Sequence, residues 1–287
     1  MKNKICVITG ASNGIGKEIA RQLATKGARI AMVCRNEQRG QIAKKEIEEI
    51  SGSNKIDLFL ADLSSLIQIR QLTENLGKAY GHIDVLINNA GNFFLKKQYN
   101  EAGIEMTYAV NFLAPFYLTN LLLVKLMNAD QGRIIIVSSR NQSIGKIDLG
   151  NYDFRNRIYN GLQAYSNSKL MTVIFTKELE KRLRGTNVTI NAAHPGDVVT
   201  NIGMNDNNGL FKILWSIKCL FNIPVEQGAE TPVYLATAPE LTKISGGYFV
   251  RKKKARYNPI ADLPGIGKEL WDFSEDIIKQ NNLSINQ

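Results

Sequence analysis

Short apolar runs alternate along this chain with longer stretches whose apolar residues recur every three or four positions. The runs near residues 5 to 9, 29 to 34, 56 to 60, 83 to 87, 133 to 137, 187 to 193 and 247 to 250 predict strands. Helical periodicity predicts helices over Glu37 to Ile50, Leu66 to Tyr80, Asn100 to Met127 and Ala164 to Leu183. No internal repeat or low-complexity stretch interrupts the order. Strand and helix in alternation imply an α/β fold, one doubly wound parallel sheet with helices on both faces and ligands at the carboxyl ends of its strands.

The first alternation carries chemistry. KICVITG gives way to ASNGIGKEIARQLATKG, so that Gly10, Gly14 and Gly16 fall between a strand and a helix marked by Ile19, Ala20 and Leu23. Glycines let the backbone bend sharply and let a pyrophosphate approach amides at the positive end of the helix. They also close ordinary strand-to-helix turns. The strand before, the helix after and a second strand, ARIAMVC, ending at Cys34 together point to a dinucleotide site.

A second signal lies in AYSNSKL, where Tyr165 and Lys169 stand four apart and so share a helix face. A phenol of pKa about 10 is a poor acid-base catalyst at neutral pH, and a neighbouring cation lowers that value. The pair therefore suits proton transfer to a carbonyl. Its plainer reading is a half-buried tyrosine beside a solvated lysine.

With these residues in hand the chain resembles the short-chain dehydrogenase/reductase family. Its T-G-x-x-x-G-x-G turn matches Thr9 to Gly16 and its Tyr-x-x-x-Lys matches Tyr165 to Lys169, with NNAG at 88 to 91, Asn111 in VNFLA, Ser139 ending IIIVSS, and HPGDVVT at 194 to 200 between and beyond. The resemblance implies a Rossmann-type fold and a nicotinamide cofactor. It places Gly10, Ser12, Asn13, Gly14, Ile15 and Gly16 against the cofactor phosphates, Asp62 and Leu63 near the adenine, Asn89, Ala90 and Gly91 along the middle, and Pro195, Gly196 and Thr200 against the nicotinamide. It also implies catalysis by Tyr165 as proton donor or acceptor. Lys169 would hold the ribose and depress the phenol pKa, Ser139 would bind the substrate oxygen, and Asn111 would kink its helix and hold a relay water. Ser138 competes for the serine role; Ser139 is preferred because the family serine is usually the second of such a pair.

Cofactor choice turns on the end of the second strand. An acid there would bind a ribose 2'-hydroxyl and repel a 2'-phosphate, but the chain has Cys34, Arg35 and Asn36. Arg35 can pair bidentately with phosphate, which favours NADP(H) over NAD(H).

The interval from Ser139 to Tyr165 is longer than is common in the family, and its segment, SIGKIDLGNYDFRNRIYNG, resembles the insertion of the retinol-dehydrogenase-like branch. Agreement continues through PVYLATAPE and GGYF to ELWDFSEDII. In this family specificity comes mainly from the stretch after HPGDVVTNI, so a substrate lid is expected near 203 to 224. There GLFKILWSIKCLF, with Trp215 at its centre, reads as a helix packed on the core, a lid over an apolar substrate, or a membrane contact.

Length and composition narrow the rest. At 287 residues and 44% hydrophobic, the chain suits one domain over 1 to 287. It lacks a run of eighteen apolar residues and begins its first strand almost at Met1, so a cytoplasmic protein without signal peptide or membrane span is expected. Cys6, Cys34 and Cys219 are read as reduced structural thiols, and with only His82 and His194 for imidazole ligands no metal is expected. The net charge of +10 and the run RKKKAR at 251 to 256 raise nucleic-acid binding, but no interleaved aromatics or nucleic-acid motif accompany them, and a solvated basic loop is expected. A homo-oligomer is implied by the resemblance alone. The expectation is an NADP(H)-dependent oxidoreductase acting on an apolar aldehyde, ketone or alcohol. A biosynthetic ketoreductase and a non-catalytic nucleotide-sensing scaffold are the alternatives, the second opposed by the complete Asn111, Ser139, Tyr165 and Lys169 set.

Overall fold

The computed structural model describes residues 1–154, 158–197 and 223–285. Its strands are β1 (Ile5–Thr9), β2 (Arg29–Cys34), β3 (Ile56–Leu60), β4 (Val85–Asn88), β5 (Gly132–Val137), β6 (Val188–His194), β7 (Tyr248–Val250) and β8 (Lys253–Lys254). They form one sheet in the order β3-β2-β1-β4-β5-β6-β7-β8, parallel throughout except for the antiparallel β7-β8 pair. The chain leaves β1 in one direction and returns to its other side at β4. That reversal opens a crevice at the carboxyl ends of β1 and β4.

Helices α1 (Gly14–Thr25), α2 (Glu37–Ser51) and α6 (Val225–Thr237) cover one face. On the other lie α3 (Leu66–Ala79), α4 (Met106–Met127), α5 (Gly161–Arg182) and α7 (Ile266–Gln280). Successive strand residues point to opposite faces, so Val7 joins one core while Cys6 and Ile8 join the other, and Ile134 and Ile136 oppose Ile135. Each fully buried Ile or Leu contributes about 1.5 to 3 kcal/mol, which makes this two-faced burial the main reason the apolar runs become central strands. Arg133, buried in β5, donates to the carbonyls of Leu235 and Ala238 at 3.0 and 2.8 Å and so caps the end of α6.

The predicted strands fall within a residue or two of the observed ones, and three differences are informative. The helix expected from Asn100 starts only at Met106, because the Asn100 carboxamide accepts the amides of Ala102 and Ile104 at 3.1 and 2.8 Å and Gly103 sits at φ +71° in a turn. The basic run is a hairpin rather than a loop: Arg251 and Lys252 turn at φ +50° and +63°, and Lys253 and Lys254 pair back onto β7. Helices α6 and α7 were hidden by Pro232 within one and by Pro264 and Gly265 before the other. Met106–Met127 is long and apolar enough to cross a membrane, but most of it is buried against the sheet as a core helix.

Candidate active site

The glycine turn forms as its spacing requires. Gly10 and Gly14 adopt φ of +66° and +52°, and a Cβ on Gly16 would collide with the Gly10 carbonyl and the Asn89 amide. Helix α1 then begins at Gly14, its N-cap Asn13 giving no side-chain bond to its amides, whereas Asn36, Ser65 and Asn160 cap α2, α3 and α5. Uncapped amides at a helix start, approached over glycines, fit an anionic pyrophosphate. The Ala11 amide donates to the Val33 carbonyl at 3.4 Å, and burial pushes the nearby Cys34 thiol up to about 11. Cys6 is likewise buried and free, its thiol raised by desolvation.

Thr9 joins the two sides of the crevice. Its Oγ1 accepts the amides of Asn89 and Ala90 at 2.9 and 3.0 Å, and the Asn89 carboxamide donates to the Thr9 carbonyl at 2.8 Å. The Asn89 side chain therefore shapes the turn. Gly91 leaves room beside Asn111 and Lys169: a Cβ there would stand 3.3 Å from both the Asn111 Oδ1 and the Lys169 Nζ.

Beyond β2, Arg35 is exposed, its guanidinium 3.9 Å from the Asp62 carboxylate. Asp62 is anchored by the Ser64 amide and hydroxyl at 2.9 and 2.7 Å, Leu63 packs on the core, and Asn36 caps α2 through the Arg39 amide. No carboxylate stands at residues 34 to 36.

The catalytic candidates converge where β5, α4 and α5 meet. Residues Ala109–Leu113 form one π turn inside α4, the wider winding that bends a helix and marks functional sites. Asn111 sits in it, buried, its Oδ1 accepting the Asn92 amide at 2.8 Å and its Nδ2 donating to the Asn92 carbonyl at 2.8 Å and to Ser168 Oγ at 3.1 Å. Ser138 is buried and donates to the Lys169 carbonyl at 2.9 Å. Ser139 faces the other way, toward the half-buried Tyr165, whose phenol pKa it pulls down. Of the two serines only Ser139 reaches the phenol.

Lys169 is 4% exposed. Its Nζ donates to the Val137 carbonyl at 3.0 Å and lies 5.7 Å from the centre of the Tyr165 ring. Burial pulls the lysine down to about 8. Burial also raises the Tyr165 phenol, an effect that the Ser139 hydrogen bond opposes and Asp197 reinforces. The expectation of a phenol depressed by Lys169 is thus corrected: desolvation dominates, and Tyr165 is protonated at neutral pH. In that form it can donate a proton to a carbonyl oxygen held by Ser139.

Phe93 and Arg140, which no motif announced, stand beside Tyr165 and Asp197. Phe93 meets the Tyr165 ring edge-on at 5.7 Å, and Arg140 pairs with Asp197 at 3.5 Å. Pro195 and Gly196 follow β6 as expected, Gly196 at φ +95° with Ile223 filling the space above it. The Ile223 amide donates to the Asp197 carbonyl at 2.8 Å. Thr200, Cys219 and most of the expected lid, including Trp215, lie outside the described residues. Among the described residues no group of three His, Cys, Asp or Glu side chains could hold a metal.

Sheet order, glycine turn and the Ser139, Tyr165 and Lys169 cluster define a dinucleotide-dependent oxidoreductase, and the family model for short chain dehydrogenase matches residues 4–210: the chain belongs to the short-chain dehydrogenase/reductase family, in its retinol-dehydrogenase-like branch. It is 38% identical to "Retinol dehydrogenase 14" of Homo sapiens over 97% of this chain and 87% of that one, and 37% identical to "Retinol dehydrogenase 13" of Homo sapiens over 96% and 84%. Among solved structures, an uncharacterized protein from Mycobacterium paratuberculosis superposes with a TM-score of 0.79 at 29% identity, covering 97% of this chain and 94% of that one. The family uses a nicotinamide cofactor and acts on the CH-OH group of a small molecule.

Proposed function

We propose that the protein reduces an apolar aldehyde or ketone with NADPH, or oxidises the matching alcohol with NADP+, and that retinoids are in its substrate class. The observation that carries the reading is the triad at the end of β5: a protonated Tyr165 beside Ser139, with Lys169 on the next turn of α5 and its Nζ 5.7 Å from the Tyr165 ring centre. The nicotinamide supplies or accepts the hydride. Ser139 orients the substrate oxygen, Tyr165 gives that oxygen its proton as the alcohol forms, and Lys169, above half protonated at pH 7 with a pKa of about 8, holds ribose hydroxyls.

Preference for the phosphorylated cofactor rests on Arg35, exposed at the end of β2 where no carboxylate would repel a 2'-phosphate. Preference for an apolar substrate rests on Phe93 against Tyr165 and on the names of the two relatives. Loss of NADPH absorbance across a panel of retinal, alkyl aldehydes and ketones, run in parallel with NADH, tests both. Turnover confined to charged sugars, or faster turnover with NADH, refutes the corresponding half.

A further inference from the structure

Ser139 is carried by a turn that does little to hold itself. The Arg140–Ile144 3-10 segment is short, its bonds from Gln142 to Ser139 and from Gly145 to Gln142 are each 3.2 Å, and the Ser139 side chain caps Asn141 at only 3.3 Å. Such i to i+3 geometry is weak. Yet Ser139 must meet both Tyr165 and a substrate oxygen.

Two buried residues, one on β7 and one in the segment after β8, supply what the turn lacks. Tyr248, on β7, donates its hydroxyl to the Ser139 carbonyl at 3.1 Å. Asn258 aims its side-chain amide at the carbonyls of Gln142, Ser143 and Gly145, at 3.3, 3.2 and 3.0 Å. Its backbone amide donates to the buried Gln142 Oε1 at 2.8 Å, and its own Oδ1 is fixed by the Ile260 amide at 3.0 Å. Every one of these bonds except the last lands on the 139 to 145 backbone or on Gln142. A residue that merely filled space would not direct its polar atoms at one turn.

We propose that Tyr248 and Asn258 are positioning residues that clamp the Ser139 turn in its catalytic register. The proposal rests on the reading of Ser139 as the group that holds the substrate oxygen. Both residues are buried, and the bonds that make them a clamp run to the Ser139 turn. Their action is on where the Ser139 hydroxyl points, and a misplacement of about 1 Å can cost up to about a hundredfold in rate.

The test is Tyr248→Phe, which keeps the packed ring, with Asn258→Ala as a second variant. Each should lower kcat about tenfold while leaving the Kd for NADPH, measured by fluorescence, within about twofold. Amide exchange should speed up over residues 139 to 146 and not in α4. In a Ser139→Ala background the further loss from Tyr248→Phe should shrink to less than about twofold, since coupled groups are not additive. Full additivity, or an equal loss of NADPH affinity, overturns the clamp. If the wild type reduces no carbonyl compound, the functional reading fails by itself. Exchange then decides the clamp alone, and unchanged protection of residues 139 to 146 in Tyr248→Phe overturns it.

Discussion

The Lys169 ammonium donates to the Val137 carbonyl at 3.0 Å, a neutral partner for a charge that is 4% exposed. Burial holds its pKa at about 8, against an ordinary 10.5. The folded lysine therefore loses its proton before the unfolded one, and the cost of burying the charge is borne in full below pH 8 and relieved between about 8 and 10.5. At about 1.4 kcal/mol per unit, less about 1 kcal/mol for the lost hydrogen bond, Lys169→Met should stabilise the free protein by about 2.5 kcal/mol at pH 7. Urea melts at pH 7 and 10 check this: the wild type gains stability with pH relative to the variant. A variant less stable than wild type at pH 7 contradicts the assignment.

Tyr165→Phe removes the phenol assigned as proton donor beside Ser139. Turnover should fall by at least about a hundredfold, within the span of acid-base groups, while NADPH binding stays nearly intact. Steady-state rates beside a fluorescence titration separate the two. Near-normal turnover sinks the proton-donor role.

Arg35 stands 3.9 Å from Asp62 and is largely open to solvent, free to swing toward a phosphate. Arg35→Ala should weaken NADPH by about tenfold or more, as the loss of a charge-assisted contact of about 1.5 to 3 kcal/mol implies, and leave NADH nearly unchanged. Equal losses for the two cofactors remove the argument for phosphate recognition.

His194 is buried at the end of β6, neither ring nitrogen finds a hydrogen-bond partner among the described residues, and burial lowers its pKa from an ordinary 6.5 to about 4. As pH falls the unfolded chain takes up this proton first. Stability is complete above pH 6.5 and is lost toward pH 4, by on the order of 3 kcal/mol. Denaturant midpoints from pH 7 to 4.5 should show that slope in the wild type and a flatter one in His194→Phe. Parallel slopes would mean that other groups drive the acid loss.

The strands were legible because burial on both sheet faces leaves continuous apolar runs, as in RIAMVC and GRIIIV. Tyr165 and Lys169 were legible because helix geometry turns a spacing of four into adjacency. The direction of the phenol pKa was not, since spacing reports which charge is near and nothing of the desolvation that raises it. Tyr248 and Asn258 escaped for a related reason. Their hydrogen bonds end on backbone carbonyls, which carry no residue-type signal at the receiving end. Asn100 misled because its carboxamide competes for the amides that a helix would have used.

The bonds from Asn258 to the Ser139 turn span up to 116 residues of chain, and the Tyr248 bond spans 109. A ribosome building this protein delivers the nucleotide crevice first, since Thr9 meets Asn89 and Ala90 about 80 residues on. The serine turn must wait until β7 and the segment after it have emerged, because contacts of such separation close late. Nascent or truncated chains ending before residue 248 would thus carry the cofactor end of the site without its clamped serine, and full activity would report that translation had passed residue 258.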